Sequence, residues 1–185
     1  REGNTSAAIT LNKKITEMTV DEIMAERALY EEVIRNCTYK EPQEIADLFE
    51  AYTMLIWKHK QVGRVYDFYF DGLKEERDGG ANLEGSDHVV WDTLRTLAQF
   101  PDLNVEFVDI HCVRDGDNYR FGQVVYNTAC GKGGVGPNGP GKDLSFEPYE
   151  DLEMCECWIQ FIDGKWRVGK EASIRSNDAY RRLLE

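Results

Sequence analysis

Long apolar runs are missing from this 185-residue chain. The longest, such as Tyr52 to Trp57, fall far short of the ~20 residues a membrane-spanning helix needs, so no membrane contact is expected. Positive charge is scarce too. Lys and Arg number 22 against 34 Asp and Glu, a formal net charge of −12. No basic stripe gathers along the chain, and such a surface repels a phosphate backbone, which excludes nucleic acid as the main partner. Histidine occurs three times, at His59, His88 and His111, and no Cys-x-x-Cys or Cys/His spacing suggests zinc. The five cysteines are an odd number. Cys155 and Cys157 stand two apart in an apparent strand, sharing a face but held apart, a poor disulfide geometry. They read as small buried hydrophobes. No charged-then-apolar leader pattern follows Arg1, so a cytoplasmic protein without metal or organic cofactor is expected.

What is present suffices for one core: 42% of residues are hydrophobic and 11% aromatic, within the usual ~100–200 residues of a single domain. Residues 1–19 lack periodicity and read as an arm. Asp21 to Asn36 carries an interrupted helical stripe through Ile23, Leu29 and Val33. Thr38 and Glu41 have capping-box spacing and Pro42 suits a first turn, so a second helix begins there. Its Ile45, Leu48, Phe49, Tyr52, Leu55 and Ile56 follow the 3,4 steps of a core-facing side. Val62 to Phe70, rich in β-branched and aromatic residues, reads as a strand. Residues 78–85 read as loop, and Ser86 to Gln99 as a helix stopped by Pro101. From Asn104 the chain is mostly β, with hairpins turning at Asp115-Gly116-Asp117 and Asp163-Gly164. Helices first and long antiparallel strands afterwards predict an α+β domain. Gly131 to Lys142 holds a nominal phosphate-loop match, but Asp143 replaces the metal-holding Ser/Thr, so it reads as a connection or lid.

The ordered set Leu55-Ile56-Trp57, Val65 to Asp71, Phe100-Pro101-Asp102-Leu103, Asp163-Gly164-Lys165 and Glu171 to Asn177 resembles the SnoaL-like polyketide cyclases of the nuclear-transport-factor-2-like superfamily. The resemblance implies an α+β cone: a strongly bent antiparallel sheet with about three helices over its concave face. It covers residues 41–185, and leaves 1–40 as an N-terminal arm and helical extension. It further implies an apolar pocket in which a carboxylate works beside an enolisable or dehydratable substrate. Where the family often shows His, this chain has Glu76 and Gln123, and the usual Glu-Trp pair reads Glu171-Ala172.

Glu76, Glu171 and Gln123 are therefore the expected catalytic residues. A desolvated carboxyl holds its proton nearer neutral pH, where acid/base catalysis works best, and Gln123 supplies an amide donor for an enolate oxygen. Tyr66, Tyr69, Trp91, Tyr126, Trp158, Lys170 and Ala172 are the expected substrate-binding residues, Ala172 enlarging the pocket. Strand parity places Lys170 inward and Glu171 outward, unless a bulge intervenes. Glu76 also fits a solvated turn, Lys74-Glu75-Glu76-Arg77. Two functions stay open. One is a cofactor-free cyclase, isomerase or dehydratase acting on a small apolar carbonyl compound; the other is a noncatalytic ligand-binding or dimerisation module. A homodimer is expected for either.

Overall fold

The computed structural model describes residues 13–77, 82–131, 135–136, 139–140 and 147–175. Helix α1 (Val20–Asn36) starts in a capping box: the Thr19 hydroxyl accepts from the Glu22 amide, and the Glu22 carboxylate accepts from the Thr19 amide. Pro42 opens α2 (Pro42–Thr53), but Thr38 does not cap it; its amide and hydroxyl both donate to the Glu44 carboxylate, and Glu41 stands at the N-cap. The apolar stripe of α2 faces inward as its spacing requires, with Ile45, Leu48, Phe49 and Tyr52 all buried.

Helix α2 does not end cleanly. Met54–Lys58 continue in one π turn, closed by the His59 amide on the Met54 carbonyl at 3.0 Å. The expected strand over Val62 to Phe70 is instead a 3-10 turn, Val62–Arg64, and a short helix α3 (Val65–Phe68). The buried residues there, Val62, Val65 and Phe68, are spaced by three, so helical packing overrides β propensity. Strand β1 (Tyr69–Arg77) follows, and β2 (Asn82–Glu84) pairs with it antiparallel inside the segment expected as loop. Helix α4 (Ser86–Gln99) comes next; Ser86 occupies its first turn and donates to Asp71 Oδ1 at 3.1 Å.

Four more strands complete the sheet: β3 (Asn104–Asp115), β4 (Asn118–Gly131), β5 (Glu147–Ile162) and β6 (Lys165–Arg175). The order is β2-β1-β6-β5-β4-β3, antiparallel except where β1 runs parallel to β6. Both hairpins use the expected turns: Gly116 has φ 62°, and Asp163 and Gly164 have φ 52° and 76°. The sheet is curved and unclosed, and helices cover its concave face, an α+β architecture. No helix among the described residues is long and apolar enough to cross a membrane. The arm reading of residues 1–12, most of the Gly131 to Lys142 loop and Ser176 onward lie outside the described residues.

One register shift positions the site. On β6, Lys170 pairs with Trp158 and Val168 with Ile159, so Gly169 is an extra residue with no partner of its own. Such a bulge inverts side-chain parity beyond it. Val168 faces the core before the bulge, and Glu171 and Ser173 face it afterwards.

Candidate active site

The interior of the cone is only partly filled. Phe49, Phe68, Phe121 and Tyr52 stack edge and face across its centre, with ring centroids 4.3–5.2 Å apart. Beside them lies a cavity of about 70 Å³ walled by α2, α3, α4 and strands β1, β4, β5 and β6. A second space of about 40 Å³ adjoins it through Thr53, Trp57, Gln123 and Glu153, which line both.

Glu171 projects into the larger cavity. The bulge turns it inward, and the residue is 9% exposed. The Tyr69 hydroxyl donates to Glu171 Oε2 at 2.7 Å, and Cys157 Sγ lies 3.7 Å from the same oxygen. Glu75 stands directly across on β1, in register with Glu171, and is itself buried. Burial, then the Glu75 charge, push the Glu171 carboxyl up to about 7, although the Tyr69 hydrogen bond and Arg77 pull the other way. Burial and the neighbouring Glu171 keep the Tyr69 hydroxyl protonated far above neutrality.

Glu75 is held differently. Arg77, two residues along β1 and hence on the same face, donates to Glu75 Oε1 and also pairs with Asp92 of α4. The guanidinium is thus shared between two carboxylates, while Glu75 Oε2 has no hydrogen-bond partner among the described residues. Asp92 comes from the buried stripe of α4 (Val89, Asp92, Thr93, Thr96, Gln99), whose inward face is largely polar. A helix that presents polar groups at core spacing lines a polar cavity, not a dry core.

Two strands along the sheet, on β4, Gln123 Oε1 accepts from the Thr53 hydroxyl of α2 at 3.4 Å, so the Gln123 amide nitrogen remains as a donor. Cys155 and Cys157 alternate inward along β5 with sulfurs 3.8 Å apart. Burial and Glu171 push the Cys157 thiol up to about 11, against the lowering hydrogen bond from Cys155. Neither sulfur is placed for a nucleophilic role at neutral pH.

Of the expected catalytic residues, Glu171 and Gln123 line this cavity and Glu76 does not. Glu76 lies on the outer face of β1, its carboxylate 3.0 Å from Lys170 Nζ, both partly exposed. Of the expected binding residues, only Tyr69 reaches inside. Lys170 takes the outward position that the bulge leaves it, with its ammonium 4.8 Å from the Trp158 ring centroid. Trp158 is therefore also outside, its other neighbour being the Arg120 guanidinium. Ala172 points outward between Glu171 and Ser173, so its small size does not enlarge the cavity. Tyr126 faces out beside Glu150, between inward Val125 and Asn127. Tyr66 is 49% exposed and donates to Asp87, and Trp91 is 66% exposed on α4. Trp57 lines the cavities instead. The residues that sequence reasoning passed over are Glu75, Arg77, Asp92, Glu153 and Thr53; the signal that could have found Asp92 is its place on the buried stripe of α4.

No family model matches the sequence, and no curated protein matches it. Solved structures do. A hexachlorocyclohexane dehydrochlorinase, LinA-type3 of Novosphingobium barchaimii LL02, superimposes with TM-score 0.56 at 12% identity, covering 80% of this chain and 90% of that one. A nuclear transport factor 2-like superfamily protein of Salmonella enterica gives TM-score 0.54 at 12% identity over 71% of this chain and 87% of that one. A Jannaschia protein described as SnoaL-like polyketide cyclase gives 0.53 at 11% identity over 72% of this chain and 88% of that one. At such identities the likeness is one of backbone, and it gives this chain the α+β cone fold shared by SnoaL-like and nuclear-transport-factor-2-like proteins.

Proposed function

We propose that Glu171 is the acid/base of a cofactor-independent isomerase, cyclase or dehydratase that acts beside the carbonyl of a small substrate. The observation that carries this reading is the placement of Glu171: a buried carboxyl on the cavity wall, hydrogen-bonded by Tyr69 and backed by Glu75. In the carboxylate form it removes a proton from the carbon next to the carbonyl. The electron pair moves to the carbonyl oxygen, and the Gln123 amide, two strands along the sheet, stabilises the enolate. Glu171 then returns the proton at the same carbon or a conjugated one. Its titration near 7 suits both halves of that cycle at neutral pH. Cavities of about 70 and 40 Å³ suit a compact ligand and argue against a polycyclic one. A structural neighbour named as a hexachlorocyclohexane dehydrochlorinase is compatible with a proton-abstraction site on this fold.

The test is solvent-deuterium exchange at the α-carbon of small ketones and enones, followed by NMR on chelator-treated protein. Exchange should occur with at least one compound and fall roughly 10²–10⁴-fold in Glu171→Gln. Binding without exchange in both proteins would select the noncatalytic ligand-binding reading. The same proposal includes a homodimer through the outer sheet face, supported by exposed Leu152, Met154 and Ile174, with Met154 and Ile174 in register on adjacent strands. Sedimentation should show a dimer that Met154→Lys converts to monomer.

A further inference from the structure

The acid/base reading leaves one inward cluster unused. Cys155 and Cys157 are successive inward residues of β5, with sulfurs 3.8 Å apart, and Cys157 Sγ is 3.7 Å from Glu171 Oε2. All three ligand atoms lie within 4.8 Å of one another, on the wall of the larger cavity. The sulfur–sulfur separation and the separation of the Cys157 sulfur from the carboxylate oxygen match two edges of a coordination tetrahedron. Two sulfurs, each ~2.3 Å from Zn²⁺ at the tetrahedral angle, are about 3.8 Å apart, and a sulfur–oxygen edge is about 3.5 Å. A disulfide would instead need the sulfurs at ~2.05 Å.

We propose that Cys155, Cys157 and Glu171 form a three-ligand site for a thiophilic divalent cation of the zinc type, its fourth position facing the cavity. Two sulfurs and one oxygen disfavour Mg²⁺ and Ca²⁺, which take oxygen ligands, and favour Zn²⁺ or Co²⁺. The strand supplies the geometry: alternate β5 side chains lie on one face, and the bulge at Gly169 delivers the carboxylate from the neighbouring strand. Binding exchanges one cation for the two thiol protons, and for the Glu171 proton when that is present; nothing is oxidised or reduced. The site goes beyond the acid/base reading and excludes it while occupied, because a carboxylate bound to a cation no longer accepts a proton. A bound cation would therefore switch the proton chemistry off.

The experiment is an optical titration of the reduced full chain with Co²⁺, in the absence of any organic substrate. One equivalent should bring up sulfur-to-cobalt charge-transfer absorption that Zn²⁺ abolishes by displacement. Cys155→Ser and Cys157→Ser should each weaken binding at least about 10–100-fold, the loss caused even by an outer-sphere change, whereas replacing Cys37, Cys112 and Cys130 by Ser should not. Should either serine variant fail to fold, alkylation of the native chain gives the same answer: Zn²⁺ should protect Cys155 and Cys157 selectively. Saturation with Co²⁺ without charge-transfer absorption, or alkylation of both thiols indifferent to Zn²⁺, overturns the proposal. Because neither readout involves the ketone exchange assay, its failure leaves the acid/base reading standing, and the reverse also holds.

Discussion

Glu26 on α1 and Glu171 on β6 are carboxyls buried to 1% and 9% exposure, and the fold treats them in opposite ways. Glu26 sits where α1 crosses the π turn. Lys58 Nζ donates to both its oxygens at 2.7 and 3.0 Å, Tyr30 Oη donates at 3.1 Å, and His59 Nε2 lies 3.4 Å away. Burial raises the Glu26 carboxyl, but His59 and Lys58 outweigh it and hold the group below its ordinary range. Glu171 faces another acid and an opening, with one hydroxyl as its main partner, and is raised instead. The first arrangement is a closed clasp that fastens α1 and its Tyr30 against Met54 and Leu55. The second retains a chargeable group beside vacant space, which adds nothing to stability and is what proton transfer requires. The π turn serves both: it points Lys58 and His59 toward α1 while Ile56 and Trp57 line the cavity.

Breaking the clasp should have the largest effect. Glu26→Ala removes the carboxylate that Lys58, Tyr30 and His59 share in the interior and should lower stability by about 3–5 kcal/mol in denaturant titration, whereas an apolar replacement of both Glu26 and Lys58 should recover most of it. The two carboxyls should next separate by pH. Glu171 holds its proton up to about 7 in the fold, against an ordinary value of 4.5, so the native state binds more protons between those limits. Its contribution to stability falls as pH rises through that window, by about 3 kcal/mol in all, and denaturant midpoints of chelator-treated protein should show the fall in wild type and not in Glu171→Gln. Glu26 has the opposite sign: its contribution is present above its ordinary range and is lost on acidification. Tyr69→Phe should cost about 1 kcal/mol and move the Glu171 titration upward, as the carboxylate loses its donor; NMR of the labelled carboxyl would record the move. Lys170→Ala and Glu76→Ala, which dissolve a surface pair, should change stability by less than about 0.5 kcal/mol and leave the exchange reaction unaltered.

The helices α2 and α4 and both Asp-Gly hairpins were legible in sequence, because each rests on local period or turn chemistry. The site was legible only in part. Gln123 and Tyr69, both expected from sequence, line the cavity, whereas Glu171 needed a bulge that no pattern in Gly169-Lys170-Glu171 announces. Along β5, Glu153, Cys155, Cys157 and Ile159 share one parity and Met154, Glu156 and Trp158 the other, each mixing polar and apolar residues, so neither face identifies itself as interior. Glu75 was hidden in a run of five charged residues, 74–78, that reads as a solvated turn, and only its register opposite Glu171 and its Arg77 partner reveal it. The Val62 to Phe70 segment shows the limit of composition: its residues favour β structure, yet burial every third position makes it helical.

The single unpaired glycine of β6 decides which of two adjacent, oppositely charged residues the cone receives. Deleting one residue there would present a lysine where an acid now stands and turn a proton-abstracting chamber into an amine-lined one, without altering the strand order around it. On this scaffold, a change of reaction class lies within reach of one three-nucleotide event.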